Sequence, residues 1–305
     1  MIGRVFKSTG SWYQVLTDRG EMMECRTRGK LRLEESKETN PVAVGDLVLL
    51  ESDGDKGIIT EVQQRKNHIV RQSTRKTGHS HVLAANLDQA LLLVTLFQPR
   101  TSLGFVDRFL VTCEAFGIPQ ILVFNKKDLL DQQAIEWCND VMSMYQKIGI
   151  STFLLSLTED EVLNSLEQFL SGKITLIAGH SGTGKSTLLN RLVPSAQQVT
   201  AEVSGSTMKG VHTTTFAEMF AIDDHTMIID TPGVKEWGLL DMEPGEISDY
   251  FPEMREKRLN CKFGSKCLHL EEPKCAIREA VERSEISISR FESYLSMVLG
   301  GDNRK

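Results

Sequence analysis

No apolar run in this chain approaches the roughly 20 residues that a membrane-spanning helix needs. The N-terminus, MIGRVFKSTGSWYQ, lacks the apolar core of a secretory signal. A cytoplasmic protein with no membrane partner is therefore expected. An excess of positive charge is also missing. Lys and Arg number 35 against 41 Asp and Glu, a net charge of -6. That balance argues against nucleic-acid binding by the whole surface and leaves room for local basic patches. There is no internal repeat and no low-complexity tract. Cysteines are few, at 6. Cys25, Cys113 and Cys138 are scattered, whereas Cys261, Cys267 and Cys275 cluster, which in a reducing compartment points to a metal before a disulfide.

What is present starts with Lys173 to Arg191. The apolar run Ile174 to Ala178 reads as a buried strand. Gly179-His180-Ser181-Gly182-Thr183-Gly184-Lys185-Ser186 then fits the phosphate-loop pattern G-x-x-x-x-G-K-[ST], and Thr187 to Leu192 opens a helix. Glycines let successive backbone N–H groups turn inward around phosphate oxygens, and the helix N-terminus adds partial positive charge. Lys185 can reach the β- and γ-phosphates, and the Ser186 hydroxyl can bind Mg²⁺. A nucleoside triphosphate is the expected ligand.

The rest divides by pattern. Residues 1–66 carry five short extended runs separated by turn signals, which suits a small barrel of the OB type. Such barrels bind single-stranded nucleic acid on aromatic platforms. Phe6, Trp12 and Tyr13 are candidate platforms, unless they are core. Arg26, Arg28, Lys30 and Arg32 form a basic run. Residues 67–87 read as a basic connector rather than a packed element, carrying Arg71, Arg75 and Lys76 as candidate phosphate contacts or a merely solvated linker. From 88 to 240, strands and helices alternate, predicting a mainly parallel sheet covered on both faces. Residues 241–305 look mostly helical, with a break near Ser284 to Ser289.

Asn125-Lys126-Lys127-Asp128 directly follows the apolar strand Gln120 to Phe124. An N-K-x-D loop there suits guanine, because Asp128 can accept from both N1–H and the exocyclic amine, which adenine does not offer together. Asn125 can bond the opposite side of the base, and the Lys126 stem can lie over the ring. Ser156-Leu157, after the next strand, resembles the site where Ras-like GTPases place a backbone N–H against guanine O6. Asp230-Thr231-Pro232-Gly233 ends another strand. Asp230 can hold Mg²⁺ through water, and the Gly233 N–H can sense the γ-phosphate. Between them lies Gly210-Val211-His212-Thr213-Thr214-Thr215, where one threonine, Thr213 or Thr214 among them, can complete the Mg²⁺ shell. Val234 stands where Ras-like enzymes commonly carry a water-orienting Gln. Slow unaided hydrolysis is expected, helped by His212 or by a partner, unless His212 is only structural. The order is inverted: N-K-x-D and the serine precede the phosphate loop, so the core reads as a circular permutation, tolerable because domain termini often lie close together.

Cys261, Cys267, His269 and Cys275 have the spacing C-x5-C-x-H-x5-C. Three thiolates and an imidazole form a closed set suited to one structural zinc.

This motif order, between a small barrel and a Cys-Cys-His-Cys module, resembles the RsgA (YjeQ) family of ribosome small-subunit-dependent GTPases across nearly the whole chain. Thr183 and Leu157 depart from it, since many members carry Val and a small residue there. The resemblance implies a multi-domain α/β protein with an N-terminal OB barrel, a circularly permuted Ras-like P-loop core and a C-terminal helical zinc domain. It implies GTP hydrolysis to GDP stimulated by the 30S subunit during late maturation, contact with 16S rRNA, and a monomer. Its roles fall on Asn125, Lys126, Asp128, Gly179 to Thr187, His212 to Thr215, Asp230, Gly233 and the four zinc ligands. Rivals are a GTP-binding regulator of a non-ribosomal partner, and an ATP-dependent kinase or nuclease, against which Asp128 argues.

Overall fold

The computed structural model describes residues 1–28, 40–72, 80–159, 163–194, 217–231 and 242–300. Strands β1 (Ile2–Ser8), β2 (Tyr13–Thr17), β3 (Met22–Thr27), β4 (Leu47–Asp53) and β5 (Lys56–Val62) run in the order β1-β2-β3-β5-β4, and β4 pairs back onto β1. The β3–β5 pair is parallel and the others are antiparallel. This is the expected OB-type barrel. Alternation builds it: Tyr13, Val15 and Thr17 of β2 point inward while Gln14 is exposed. Register shifts at Val5/Lys7 and Leu49/Leu50 bend the strands enough to close. Phe6 and Tyr13 are buried at 6% and 4% exposure, so neither can serve as a stacking platform. Phe6, on the strand face opposite Val5, packs into the core of the larger domain.

Residues 67–87 are not a solvated connector. Strands β6 (His68–Gln72) and β7 (Ser80–Ala85) form an antiparallel hairpin. Its Ile69, Leu83 and Ala84, with Leu87 beyond it, enter the same large core. Asn40 fastens it to the barrel by donating to the Val82 carbonyl and accepting from the Val82 N–H, both at 2.9 Å. Gly45 lets the backbones meet, since a Cβ there would lie 2.1 Å from the Ala85 oxygen. The basic residues hid a short apolar repeat that is sufficient to pack.

The central unit comprises β8 (Gln89–Val94), α1 (Leu103–Ala115), β9 (Gln120–Phe124), α2 (Gln132–Gln146), β10 (Ser151–Leu154), α3 (Leu163–Leu170), β11 (Ile174–Gly179), α4 (Lys185–Leu192), β12 (Glu218–Ala221) and β13 (Met227–Asp230). The sheet order is β10-β9-β8-β11-β13-β12, parallel except for β12. The apolar strands are covered on both faces, which explains their lack of alternation in sequence. Leu92 and Leu122 pack with Phe109 of α1 and Val141 of α2, whereas Leu91 and Ile121 pack with Leu166 of α3 and Leu188 of α4. At its other edge β12 pairs with β1 through Lys7 and Glu218, whose side chains also bond at 2.9 Å. Core sheet and barrel thus form one 11-stranded sheet.

Residues 242–300 pack on α1 as short helical segments ending in the helix Ile288–Val298. The run from Ala276 breaks where expected, with Ser284 at φ 58°. The two units are joined by a buried ion cluster. Arg290 donates to Asp107 of α1 at 2.6 Å and to Glu253 at 2.7 and 3.1 Å. The Tyr145 hydroxyl of α2 donates to the same Asp107 oxygen at 2.8 Å, and the guanidinium lies 4.5 Å from the Phe251 ring. Desolvation pushes the Asp107 carboxyl up from the usual carboxylate range, and Arg290 opposes that shift. Arg290→Met removes the cation and strands two carboxylates away from water. It should cost about 3–5 kcal/mol of unfolding free energy in chemical denaturation.

Candidate functional site: nucleotide pocket and metal cluster

The C-terminal ends of β8, β9, β10, β11 and β13 face one edge of the sheet, where ligands of open α/β folds bind. That edge gathers motifs that are scattered in sequence. The phosphate loop leaves β11 at Gly179, whose Cβ would meet the Leu93 oxygen at 2.8 Å and the Thr183 hydroxyl at 2.9 Å. Thr183 is fully buried and donates to the His180 carbonyl at 2.8 Å, pinning the loop from inside. The His180 ring packs 4.1 Å from that of Phe105. Ser181, Gly182, Ser186 and Thr187 stay exposed, and Gly184 caps α4 with φ 105°. Lys185 pairs with Asp230 at 3.5 Å across the loop, so the two side chains expected at phosphate and Mg²⁺ converge.

The second loop is joined to the first through one amide. Asn125 is buried. Its Nδ2 donates to the Thr183 carbonyl at 2.8 Å, and its Oδ1 accepts from the Leu157 N–H at 3.1 Å. Gly184 is needed beside it, since a Cβ there would lie 2.5 Å from Asn125 Nδ2. Asn125 therefore binds phosphate loop and Ser156-Leu157 loop together, where the sequence reading gave it only to the base. Lys126 adopts φ 69° and donates to the Gln98 carbonyl at 2.8 Å, which fixes its stem beside the pocket. Lys127 and Asp128 are exposed. Asp128 accepts from Ser156 Oγ, which also contacts Thr158 Oγ1 at 2.7 Å. Of the Ser156-Leu157 backbone offered for guanine O6, the Leu157 N–H is thus engaged by Asn125. His212, Thr213, Thr214 and Gly233 lie outside the described residues.

Among the proposed RNA contacts, Arg26 and Arg28 are exposed on the barrel and pair with Asp53 and Glu51 at 3.2 and 3.1 Å. Exposed pairs of this kind hold weakly. Trp12 carries the Lys56 ammonium 4.1 Å above its ring. Arg71 lies on β6. Lys30, Arg32, Arg75 and Lys76 fall outside the described residues.

The metal candidates converge fully. Cys261, Cys267, His269 and Cys275 are all buried, with ligand atoms within 4.8 Å of one another. His269 Nδ1 lies 3.3 Å from Cys275 Sγ and 3.7 Å from Cys261 Sγ, and the two sulfurs are 4.0 Å apart. A tetrahedron built on Zn–S of about 2.3 Å and Zn–N of about 2.0 Å has edges of about 3.5–3.8 Å, so the set fits zinc. Burial, with Arg258 nearby, lowers the His269 ring to about 4, leaving it neutral and able to ligate. Burial pushes the Cys267 thiol up to about 12, a cost that a cation would reverse. The Tyr294 hydroxyl, from the C-terminal helix, donates to the Leu268 carbonyl at 2.9 Å and supports the loop.

A parallel sheet carrying a phosphate loop and a guanine-type loop in inverted order, followed by a Cys-Cys-His-Cys module, defines a circularly permuted P-loop GTPase. Comparison with known proteins agrees. The RsgA GTPase family model matches residues 62–240, and the RsgA N-terminal domain model matches residues 2–59. A curated "small ribosomal subunit biogenesis GTPase RsgA" from Bacteroides fragilis is 48% identical, over 98% of this chain and 96% of the relative. One of the same description from Flavobacterium johnsoniae is 46% identical, over 99% and 94%. The crystal structure of YjeQ from Thermotoga maritima is similar at TM-score 0.77 and 32% identity, covering 98% of this chain and 97% of that one. YloQ, described as a circularly permuted GTPase, follows at 0.75 and 31%, covering 100% and 96%. The chain belongs to the RsgA GTPase family and is a GTP hydrolase.

Asn125→Ala would leave the Thr183 carbonyl and the Leu157 N–H buried without partners. About 2–4 kcal/mol of stability should be lost in denaturant titration.

Proposed function

We propose that this protein docks on the 30S ribosomal subunit, contacts 16S rRNA, and hydrolyses GTP to GDP and phosphate during late small-subunit maturation. The carrying observation is the Asn125 bridge, which makes base pocket and phosphate pocket one unit in a chain whose full-length relatives are named for small-subunit biogenesis. The barrel occupies 1–66, the permuted core 88–240 and the zinc module 241–305, with the hairpin of 67–87 packed between barrel and core. No described helix is long and apolar enough to cross a membrane. The protein acts as a cytoplasmic monomer.

In this reading Asp128 selects guanine, Lys126 covers the ring, and the N–H groups of 179–187 cradle the phosphates. Lys185 turns from Asp230 to the β,γ-bridge and stabilises charge as the terminal phosphoryl group moves to water. Ser186 and Asp230, with Thr213 or Thr214, hold the Mg²⁺ that arrives with GTP, whose charge offsets that of the phosphates. Gly233 senses the γ-phosphate. Val234 offers no group to orient water, so turnover alone is slow, and docking supplies His212. Arg26 and Arg28 exchange Asp53 and Glu51 for rRNA phosphates, and Lys30, Arg32, Arg71, Arg75 and Lys76 meet further phosphates.

Phosphate release measured with and without purified 30S subunits tests this. Turnover should rise with the subunit, and Lys185→Ala should abolish it in both conditions. His212→Ala should lose on the order of 10²–10⁴-fold of the stimulated rate yet keep nucleotide affinity. No response of the wild type to 30S subunits would favour the non-ribosomal regulator.

Cys261, Cys267, His269 and Cys275 hold one structural zinc. Metal analysis of protein purified without chelator should find one zinc per chain. Cys267→Ser should lose the metal and loosen residues 242–300 in hydrogen exchange while GTP still binds. Absence of zinc from the wild type would contradict the assignment.

A further inference from the structure

Arg191 belongs to none of the motifs above, and it sits in the last turn of α4, one helix away from the base loop. Its Nη1 donates to the Leu157 carbonyl at 2.6 Å and to the Glu159 carbonyl at 3.1 Å. A loop that reads a base with backbone atoms must have its peptide planes fixed, and here a charged side chain fixes one of them. In a trans peptide the C=O and the following N–H point in opposite directions. Drawing the Leu157 carbonyl toward α4 therefore turns the Thr158 N–H the other way.

That direction is the side of Asp128. The Thr158 N–H donates to Ser156 Oγ at 3.3 Å, and Ser156 Oγ itself donates to Asp128. On the guanine edge, O6 is the immediate neighbour of N1–H, so a base whose N1–H meets Asp128 brings O6 to the adjoining donor. The alternatives are occupied more firmly. The Leu157 N–H is held by Asn125 at 3.1 Å, and the Glu159 N–H by the Ser156 carbonyl at 3.2 Å. The Thr158 N–H makes the longest of these bonds, to a hydroxyl that has two other partners, and it is the one most easily exchanged for a carbonyl oxygen.

We propose that Arg191 is a positioning residue for guanine specificity, holding the Leu157–Thr158 peptide so that the Thr158 N–H reads O6. The inference rests on Asp128 as the reader of N1–H and the 2-amino group. It also closes a ring: phosphate loop to Asn125, Asn125 to Leu157, Leu157 to Arg191, and Arg191 along α4 back to the phosphate loop. The quality of the O6 contact is thereby tied to the helix whose N-terminus holds the phosphates.

Three nucleotides separate the contributions. GDP carries O6 and the 2-amino group, 6-thio-GDP replaces O6 with a poor acceptor, and IDP keeps O6 but lacks the amine. Binding constants are measured by calorimetry on the full chain for the wild type and Arg191→Ala. One hydrogen bond of about 1 kcal/mol predicts that the wild type favours GDP over 6-thio-GDP on the order of 5–10-fold. In Arg191→Ala that preference should collapse to about 2-fold or less, while the preference for GDP over IDP stays at its wild-type value. A merely structural Arg191 would weaken all three ligands in parallel, and an unchanged GDP to 6-thio-GDP ratio overturns the proposal. If Arg191→Ala does not fold, Arg191→Met keeps the stem without the donors and gives the same readout. A wild type that fails to favour GDP over IDP would instead sink the Asp128 reading beneath it.

Discussion

One buried side-chain amide ties the nucleotide site together. Asn125 gives its N–H to the carbonyl of Thr183 and takes the N–H of Leu157 on its oxygen, so three loops from the ends of β9, β10 and β11 share one side chain. The geometry leaves no slack. Gly184 must lack a side chain because Asn125 occupies the space, and Thr183 must bury its hydroxyl against His180 to bring its carbonyl within reach. Buried polar groups of this kind are costly when half satisfied and rigid when fully paired. The base loop and the phosphate loop can therefore be read as a single device, although 54 residues separate the start of one motif from the start of the other (Asn125 and Gly179).

The permutation gives that device its neighbours. In this chain order the strand ending at Asp230 leads onward to the metal module rather than back into the core. The module is held independently by Arg290 on Asp107 of α1, and α1 begins after the loop whose Gln98 carbonyl receives Lys126. The barrel is attached at the sheet edge through β12 and β1. Both flanking units thus grip the GTPase core directly, one at a sheet edge and one on a helix. A change at the nucleotide has short physical paths to each.

Much of this was legible in the sequence because phosphate cradles, guanine-reading carboxylates and tetrahedral thiolate sets impose strict residue types. The doubly covered strands were legible for a similar reason: few patterns other than unbroken apolar runs fit between two helical layers. The failures have physical causes too. In residues 67–87 the conspicuous cations masked Ile69 and Val82 to Ala85, which suffice for a packed hairpin. Phe6 and Tyr13 took the core alternative that the sequence left open for them, Tyr13 on the inward face with Val15 and Phe6 on the face turned to the larger domain. The bridge made by Asn125 was not legible beside its expected base contact, because its partner, the Thr183 carbonyl, is backbone and carries no letter. Arg191 and Arg290 were invisible for the same reason: their meaning lies in what the fold brings opposite them.

The central claim is that base identity is read by Asp128 in a pocket built as one piece with the phosphate loop. Competition binding of guanosine, adenosine and xanthosine diphosphates to the wild type and to Asp128→Asn tests it most directly. The wild type should select guanosine, and the variant should lose guanosine affinity and gain xanthosine, whose C2 carbonyl suits an amide donor. Unchanged guanosine preference in Asp128→Asn would contradict the account.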